Sequence, residues 1–201
     1  MLLADDGKFV IPTATKTGTF SLESALKGRG FTQRMPRHAR DIPDTHHGAQ
    51  VLFMIRHPYA RLVSMYRYGI VKKHSWLLAA GANGFEQFCR NWSVARIERK
   101  PHDWTTLLSE YVDAAHSTNG TVNMHRLEDG GVAAFLERLA PHYPQLVVQD
   151  KNINRSADRF EGSWRSMWTR PALDAIGDAL AADLYLGDYV KPKAVRHVRT
   201  V

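Results

Sequence analysis

The sequence predicts an α/β fold built on a mostly parallel sheet. Three observations carry that expectation. Residues 8–13, KFVIPT, form a short apolar run that feeds a loop and then a helical stretch. Residues 51–55, VLFMI, are apolar without interruption, the pattern of a strand covered on both faces. Pro58 follows closely and suits the first turn of a new helix. Strand, loop and helix thus alternate at two places, as they do in parallel α/β cores.

The elements follow in order. Residues 8–13 predict a buried strand and 14–18 a loop. A helix is predicted from Thr19 to Lys27, where Leu22 and Leu26 share a face, and Gly28 and Gly30 stop it. Phe31 to Met35 predict a second short strand. Residues 39–49 are polar and turn-rich, which predicts an exposed loop with a short helical turn. After the strand Val51–Ile55, Leu62, Val63 and Tyr66 turn the next helix inward. Residues 72–118 are mainly helical, with Phe85, Phe88 and Trp92 as one apolar series and Trp104, Leu107, Leu108 and Tyr111 as another. Gly120 to Met124 predict a strand, Gly131 to Leu139 a helix, and Leu146 to Val148 an edge element. Trp168, Leu173, Ile176, Leu180 and Leu184 predict one closing helix with Pro171 near its start. Residues 1–190 read as a single domain and 191–201 as a basic C-terminal tail.

Composition narrows the function classes. Hydrophobic residues make up 44% of the 201 positions, enough for a packed core and too many for a disordered chain. A formal charge of +7 favours anionic partners without choosing among nucleic acid, an anionic sugar, a membrane surface and a phosphorylated ligand. Cys89 is the only cysteine, so neither an intrachain disulfide nor a thiolate metal cluster can form. No apolar run approaches the roughly 20 residues of a membrane span, and residues 1–7 lack the features of a signal peptide. The expected location is cytoplasmic. Three matches to the N-glycosylation pattern, at Asn91, Asn119 and Asn154, are then read as chance.

Residues 12–22, PTATKTGTFSL, make the first candidate site. A strand delivers Lys16, Gly18 allows a close turn, and a helix begins. Amides at a helix start are natural anion donors, and a lysine adds a mobile positive charge. Thr19 and Ser21 add hydroxyls. The order differs from a Walker A loop, which places glycine before lysine. Lys16-Thr17-Gly18 and Ser24-Ala25-Leu26-Lys27 also imitate the KTG and SxxK elements of serine β-lactamases, but in reversed order and without SDN.

Residues 51–68, VLFMIRHPYARLVSMYRY, make the second. Arg56 falls at the carboxyl end of a strand, where α/β sheets bind ligands. Ser64 lies eight residues on, along the following helix. A guanidinium and a hydroxyl together suit a phosphate. Arg61 and Arg67 either serve the same field or cover the helix surface, and His57 reads as a strand-end contact.

Two anion sites at the ends of neighbouring strands imply a ligand with phosphates at both ends. Here the sequence resembles the sulfotransferases that use 3′-phosphoadenylyl sulfate. PTATKTGTFSL resembles their 5′-phosphosulfate loop, PKxGTTxL, and MIRHPYARLVSMYR resembles their 3′-phosphate motif in the RxPxxRxxSxYR form of carbohydrate-type members. Weaker likeness continues at 125–140, 152–156 and 168–189. Thr15 and Phe20 depart from the family pattern, where proline and a hydroxyl residue are common, and Leu127-Glu128-Asp129 departs from Tyr-Glu-Asp.

The resemblance implies a single-domain, P-loop-like, three-layer fold with a mostly parallel central sheet. It implies in-line sulfuryl transfer from 3′-phosphoadenylyl sulfate to an acceptor hydroxyl, on a carbohydrate or small molecule, releasing adenosine 3′,5′-bisphosphate. Lys16 would stabilise the bridging and departing oxygens. Thr17, Gly18, Thr19, Phe20 and Ser21 would offer mainly backbone N–H groups. Arg56 and Ser64 would hold the 3′-phosphate. His38 resembles the catalytic histidine that follows the second strand in some carbohydrate sulfotransferases. His46, His47, Glu128 and Asp129 are the other candidates for the base. No metal is expected. The rival expectations are a P-loop-like nucleotide phosphotransferase that needs magnesium, and a non-catalytic nucleic-acid-binding module. The second lacks any readable motif to accompany its charge.

Overall fold

In the computed structural model, residues 1–98, 104–119, 121–146 and 163–195 are described. The elements are β1 (Leu2–Ala4), β2 (Phe9–Ile11), α1 (Thr19–Leu26), β3 (Phe31–Gln33), β4 (Gln50–Ile55), α2 (Pro58–Lys72), α3 (Ser75–Ala80) and α4 (Phe85–Ile97). They continue with α5 (Leu108–Asn119), β5 (Val122–Arg126), α6 (Gly131–Leu139), α7 (Arg170–Ile176) and α8 (Ala181–Leu186). Short 3-10 turns cover Asp44–His46 and Trp164–Met167. The described residues group into two compact units, one from 1–56 and 107–146, the other from 57–98, 104–106 and 163–195.

The first unit is α/β. Its sheet has the order β3-β1-β2-β4-β5. β2 pairs parallel with β4, and β4 parallel with β5, but β1 runs antiparallel to both β2 and β3. The β2-β4-β5 part is parallel as expected, and the two antiparallel pairings of β1 make the whole sheet mixed. β1 itself went unpredicted. Only residues 5–8 join it to β2, too few for the crossover that a parallel pair needs. The Gly7 amide donates to the Ala4 carbonyl at 3.0 Å and closes that turn.

Alternation along β4 explains its unbroken apolar run. Leu52 and Met54 face one side, in a cluster with Leu22 and Leu26 of α1 and Phe135, Leu136 and Leu139 of α6. Val51 faces the other side, with Val10 and Ala115 of α5. Phe53 meets the ring of Tyr111 on α5, with centroids 5.6 Å apart. Helices thus cover both faces from Val51 to Ile55, and only Gln50 at the start of the strand is exposed.

The second unit is helical. Pro58 occupies the first turn of α2, as expected. Leu62 and Val63 are buried and Tyr66 is half-buried. Tyr59 and Phe85 both pack edge-on against Trp168, at 4.6 and 4.9 Å. Gly69 lets α3 approach closely: a methyl there would stand 2.6 Å from Leu77 Cβ. The single closing helix expected from 168 to 184 is instead two. α7 starts at the Thr169 cap, whose hydroxyl accepts from the Ala172 amide, and stops at Gly177, φ 51°. α8 then begins at Ala181.

Other differences are matters of boundary. The predicted strand at 120–124 is β5, displaced to Val122–Arg126. Leu146 is buried, whereas residues 147 and 148 of the expected edge element lie outside the described residues, as does 152–156. Within the expected tail, 191–195 form neither helix nor strand, and 196–201 lie outside the described residues. Among the described residues no helix is long and apolar enough to cross a membrane.

Candidate functional site

β2 ends at Ile11, and the loop that follows turns twice through the left-handed region. Lys16 has φ 64° and Gly18 φ 83°. Glycine adopts that conformation freely; lysine does so at a cost of about 1–2 kcal/mol. The loop is braced from within. Thr17 Oγ1 and Thr19 Oγ1 both donate to the Ala14 carbonyl, at 2.9 and 2.6 Å. The two hydroxyl hydrogens therefore go to the loop itself. Gly18 packs down on the sheet, where an added Cβ would lie 3.1 Å from both Met54 Sδ and Val132 Cγ2.

Gly18 also caps α1, with no side chain serving its first amides. Amides in a helix's first turn have no acceptor within the helix, and here they belong to Thr19, Phe20 and Ser21. Thr15, Thr17, Thr19 and Ser21 are buried, Lys16 is half-buried, and Phe20 is exposed. The guanidinium of Arg37 lies over the Phe20 ring, 4.6 Å from its centroid. Phe20 thus holds a cation at this helix end.

Parallel pairing of β2 with β4 puts the ends of both strands on one side of the sheet. Arg56 follows β4 there and donates from Nη1 to the Lys16 carbonyl at 3.2 Å. The two sequence sites thus meet at Lys16 and Arg56. Ser64 is on α2, in the second unit, and is buried.

β3 brings His38 to the same end. Gln33 pairs with Leu2, and Leu2 with Ile11, so the chain leaves β3 beside the carboxyl end of β2. His38 Nδ1 bonds the Thr13 carbonyl, just before the loop. Thr13 Oγ1 in turn donates to the Arg37 carbonyl at 2.5 Å. A hydrogen on Nδ1 leaves the lone pair of neutral imidazole on Nε2.

His46 and His47 are held elsewhere. His46 Nε2 bonds the Ala4 carbonyl at 2.9 Å, and Ala4 borders the amino end of β2. His47 Nε2 bonds the Ile42 carbonyl at 3.2 Å. Both sit at the amino end of the parallel strands, about 15 Å of strand from the loop. Glu128 and Asp129 follow β5 at the carboxyl end and are exposed; Asp129 pairs with Arg126 Nε at 3.3 Å.

The remaining basic residues of the second motif are buried. Arg61 is buried, donates to the Thr106 carbonyl at 2.9 Å and lies 3.9 Å from the buried carboxylate of Asp183. Arg67 is buried too, so neither covers the helix surface. His57 packs at a tilt against Trp164 and against Tyr189, with centroids 4.6 and 4.8 Å apart, and its Nε2 bonds the Val190 carbonyl at 3.1 Å.

One group escaped sequence reading. Glu23, on α1, is buried, accepts from Gln33 Nε2 at 2.8 Å, and pairs with Arg37 Nε at 2.9 Å. Burial pushes its carboxyl above the ordinary range, against the opposing pull of Arg37. A glutamate one turn into a helix carries no sequence signal of such a partner.

No family model, curated protein or solved structure matches this chain.

Proposed function

We propose that the chain is a sulfotransferase that uses 3′-phosphoadenylyl sulfate and acts on an acceptor hydroxyl. The observation that supports this best is the bond from Arg56 to the Lys16 carbonyl. It joins a strand-end guanidinium to a left-handed, lysine-bearing loop at the start of a helix. On this reading the first unit is P-loop-like in how strand, loop and helix meet, though its sheet is mixed. Cytoplasmic residence fits a chain whose only cysteine, Cys89, is buried.

The donor supplies an activated sulfuryl group: the acceptor oxygen bonds to sulfur as the bond to the bridging phosphate oxygen breaks. The chain's residues have three tasks. The amides at Thr17, Gly18, Thr19, Phe20 and Ser21 and the Lys16 ammonium receive the 5′-phosphosulfate end, each charge-assisted bond worth about 1.5–3 kcal/mol before binding costs. Lys16 stabilises charge on the departing oxygen. His38 takes the acceptor proton at Nε2. Arg56 holds the 3′-phosphate, and the spacing of the sequence motif, rather than a distance, adds Ser64.

Charge at the strand ends favours this reading over a magnesium-dependent phosphotransferase. β4 runs directly into Arg56, whereas the carboxylates at this end follow β5, where Asp129 is paired with Arg126. P-loop phosphotransferases hold magnesium with a carboxylate. Arginine there serves an anion directly.

Calorimetric titration with adenosine 3′,5′-bisphosphate, with and without magnesium, tests the proposal. Magnesium-independent binding is expected. Binding only of nucleoside triphosphate with magnesium would replace sulfuryl with phosphoryl transfer. Steeply salt-dependent binding of nucleic acid, with none of the bisphosphate, would mark a nucleic-acid-binding module.

A further inference from the structure

His38 is held from three elements of the first unit. Its imidazole Nδ1 bonds the carbonyl of Thr13, which is fully buried between β2 and the loop. Tyr111 of α5 donates from its hydroxyl to the His38 carbonyl at 3.2 Å. The third hold comes from α1, through the residues before His38. Glu23 Oε1 accepts from Gln33 Nε2 at 2.8 Å and lies 2.9 Å from Arg37 Nε. One oxygen of a buried carboxylate thus grips both ends of the segment 33–37, which carries the chain from β3 to His38. Phe20, three residues before Glu23 on the same face of α1, lies against the Arg37 guanidinium. Thr13 closes the arrangement: its Oγ1 donates to the Arg37 carbonyl at 2.5 Å while its own carbonyl takes the next residue, His38.

We propose that Glu23 and Thr13 are positioning residues for His38, fixing the base relative to the loop and helix that receive the phosphosulfate. This rests on the sulfotransferase reading. In-line transfer needs the base, the acceptor oxygen and the sulfur in register, and a misplacement of about 1 Å costs roughly 100-fold. A side chain on a loop is placed less precisely than one on a helix or strand. Glu23 ties the loop of His38 to α1, whose first amides are the donor site, and Thr13 ties it to the end of β2. Both act through His38 rather than on the reacting atoms.

Glu23→Ala and Thr13→Val, the second close to isosteric, test this. Nitrogen NMR of the His38 imidazole, assigned by its loss in His38→Ala, reads the placement directly. The wild type is expected to show one neutral tautomer, with hydrogen on Nδ1, and both variants a mixture. Sulfate release from 3′-phosphoadenylyl sulfate, with water as the acceptor, should fall about tenfold or more in each variant at unchanged affinity for adenosine 3′,5′-bisphosphate. In the His38→Ala background the same substitutions should cost no further turnover, because they act through that residue. Thr13→Ser should restore the wild-type behaviour. A mixture already present in the wild type, a single tautomer kept in either variant, a further loss in the His38→Ala background, or bisphosphate affinity that falls with turnover would overturn the proposal. Should the wild type release no sulfate while the variants lose the single tautomer, the sulfotransferase reading falls and the placement of His38 stands.

Discussion

Arg56 and Lys16 are 40 residues apart in sequence and joined by one hydrogen bond, 3.2 Å from Nη1 to the Lys16 carbonyl. The bond ties the end of one strand to the loop that follows its parallel neighbour. It fixes the main chain at a residue whose φ of 64° is costly for lysine. Arg56 thus has two tasks under the proposed function, bracing the loop and meeting a phosphate.

Replacing Arg56 separates those tasks. Arg56→Ala should weaken binding of adenosine 3′,5′-bisphosphate tenfold or more, about 1.4 kcal/mol, by calorimetry. Arg56→Lys should restore little, because an ammonium lacks the planar fork that serves loop and ligand together. Unchanged affinity in the alanine variant would remove Arg56 from the phosphate site.

Gly18→Ala should destabilise the chain by about 1–3 kcal/mol, read as a lower midpoint in urea. Two causes add. The backbone is left-handed, φ 83°, and the new methyl meets Met54 Sδ and Val132 Cγ2 at 3.1 Å. A midpoint equal to wild type would show that the loop can relax without loss.

The placement of the histidines makes a paired prediction. His38→Ala should lower turnover about 100-fold or more with donor binding unchanged, the usual weight of a general base. His46→Ala should leave turnover near wild type, since His46 binds the Ala4 carbonyl at the far end of the sheet. Full activity in the His38 variant would remove it from the mechanism.

Glu23 gives stability a pH dependence of defined sign. Its folded pKa lies above the ordinary 4.5, chiefly through burial. Between the unfolded and folded values the native state binds more protons, so stability falls as pH rises through that window. Below it Glu23 is neutral in both states. Urea midpoints measured from about pH 4 to 7 should show this decline, and Glu23→Gln should flatten it. A decline of equal size in the glutamine variant would assign it to other groups.

How much was legible in the sequence depended on whether the signal was local. α1 with its Gly28 stop, the Pro58 start of α2 and the bounds of α6 could be read, because spacing, proline and glycine act within a few residues. The β4 run was readable because burial on both faces leaves an unbroken apolar stretch. The break at Gly177 was missed, since the apolar spacing continues across it while the backbone does not.

The sequence by itself determined the α/β character of the first unit and the residue types at its two candidate sites: Lys16 in a glycine turn, and Arg56 after an apolar strand. Tertiary structure alone decided which strands pair and in which direction. That pairing placed β1 against β2 and β3, made the sheet mixed, and brought His38 to the loop end while leaving His46 and His47 at the other. It also set Arg37 on Phe20 and against Glu23. The physical reason is common to all of these. Backbone ladders and buried charges find partners far along the chain, as Val51 does in Val122 and Glu23 in Gln33, and the spacing of one segment carries no information about the segment that will satisfy it.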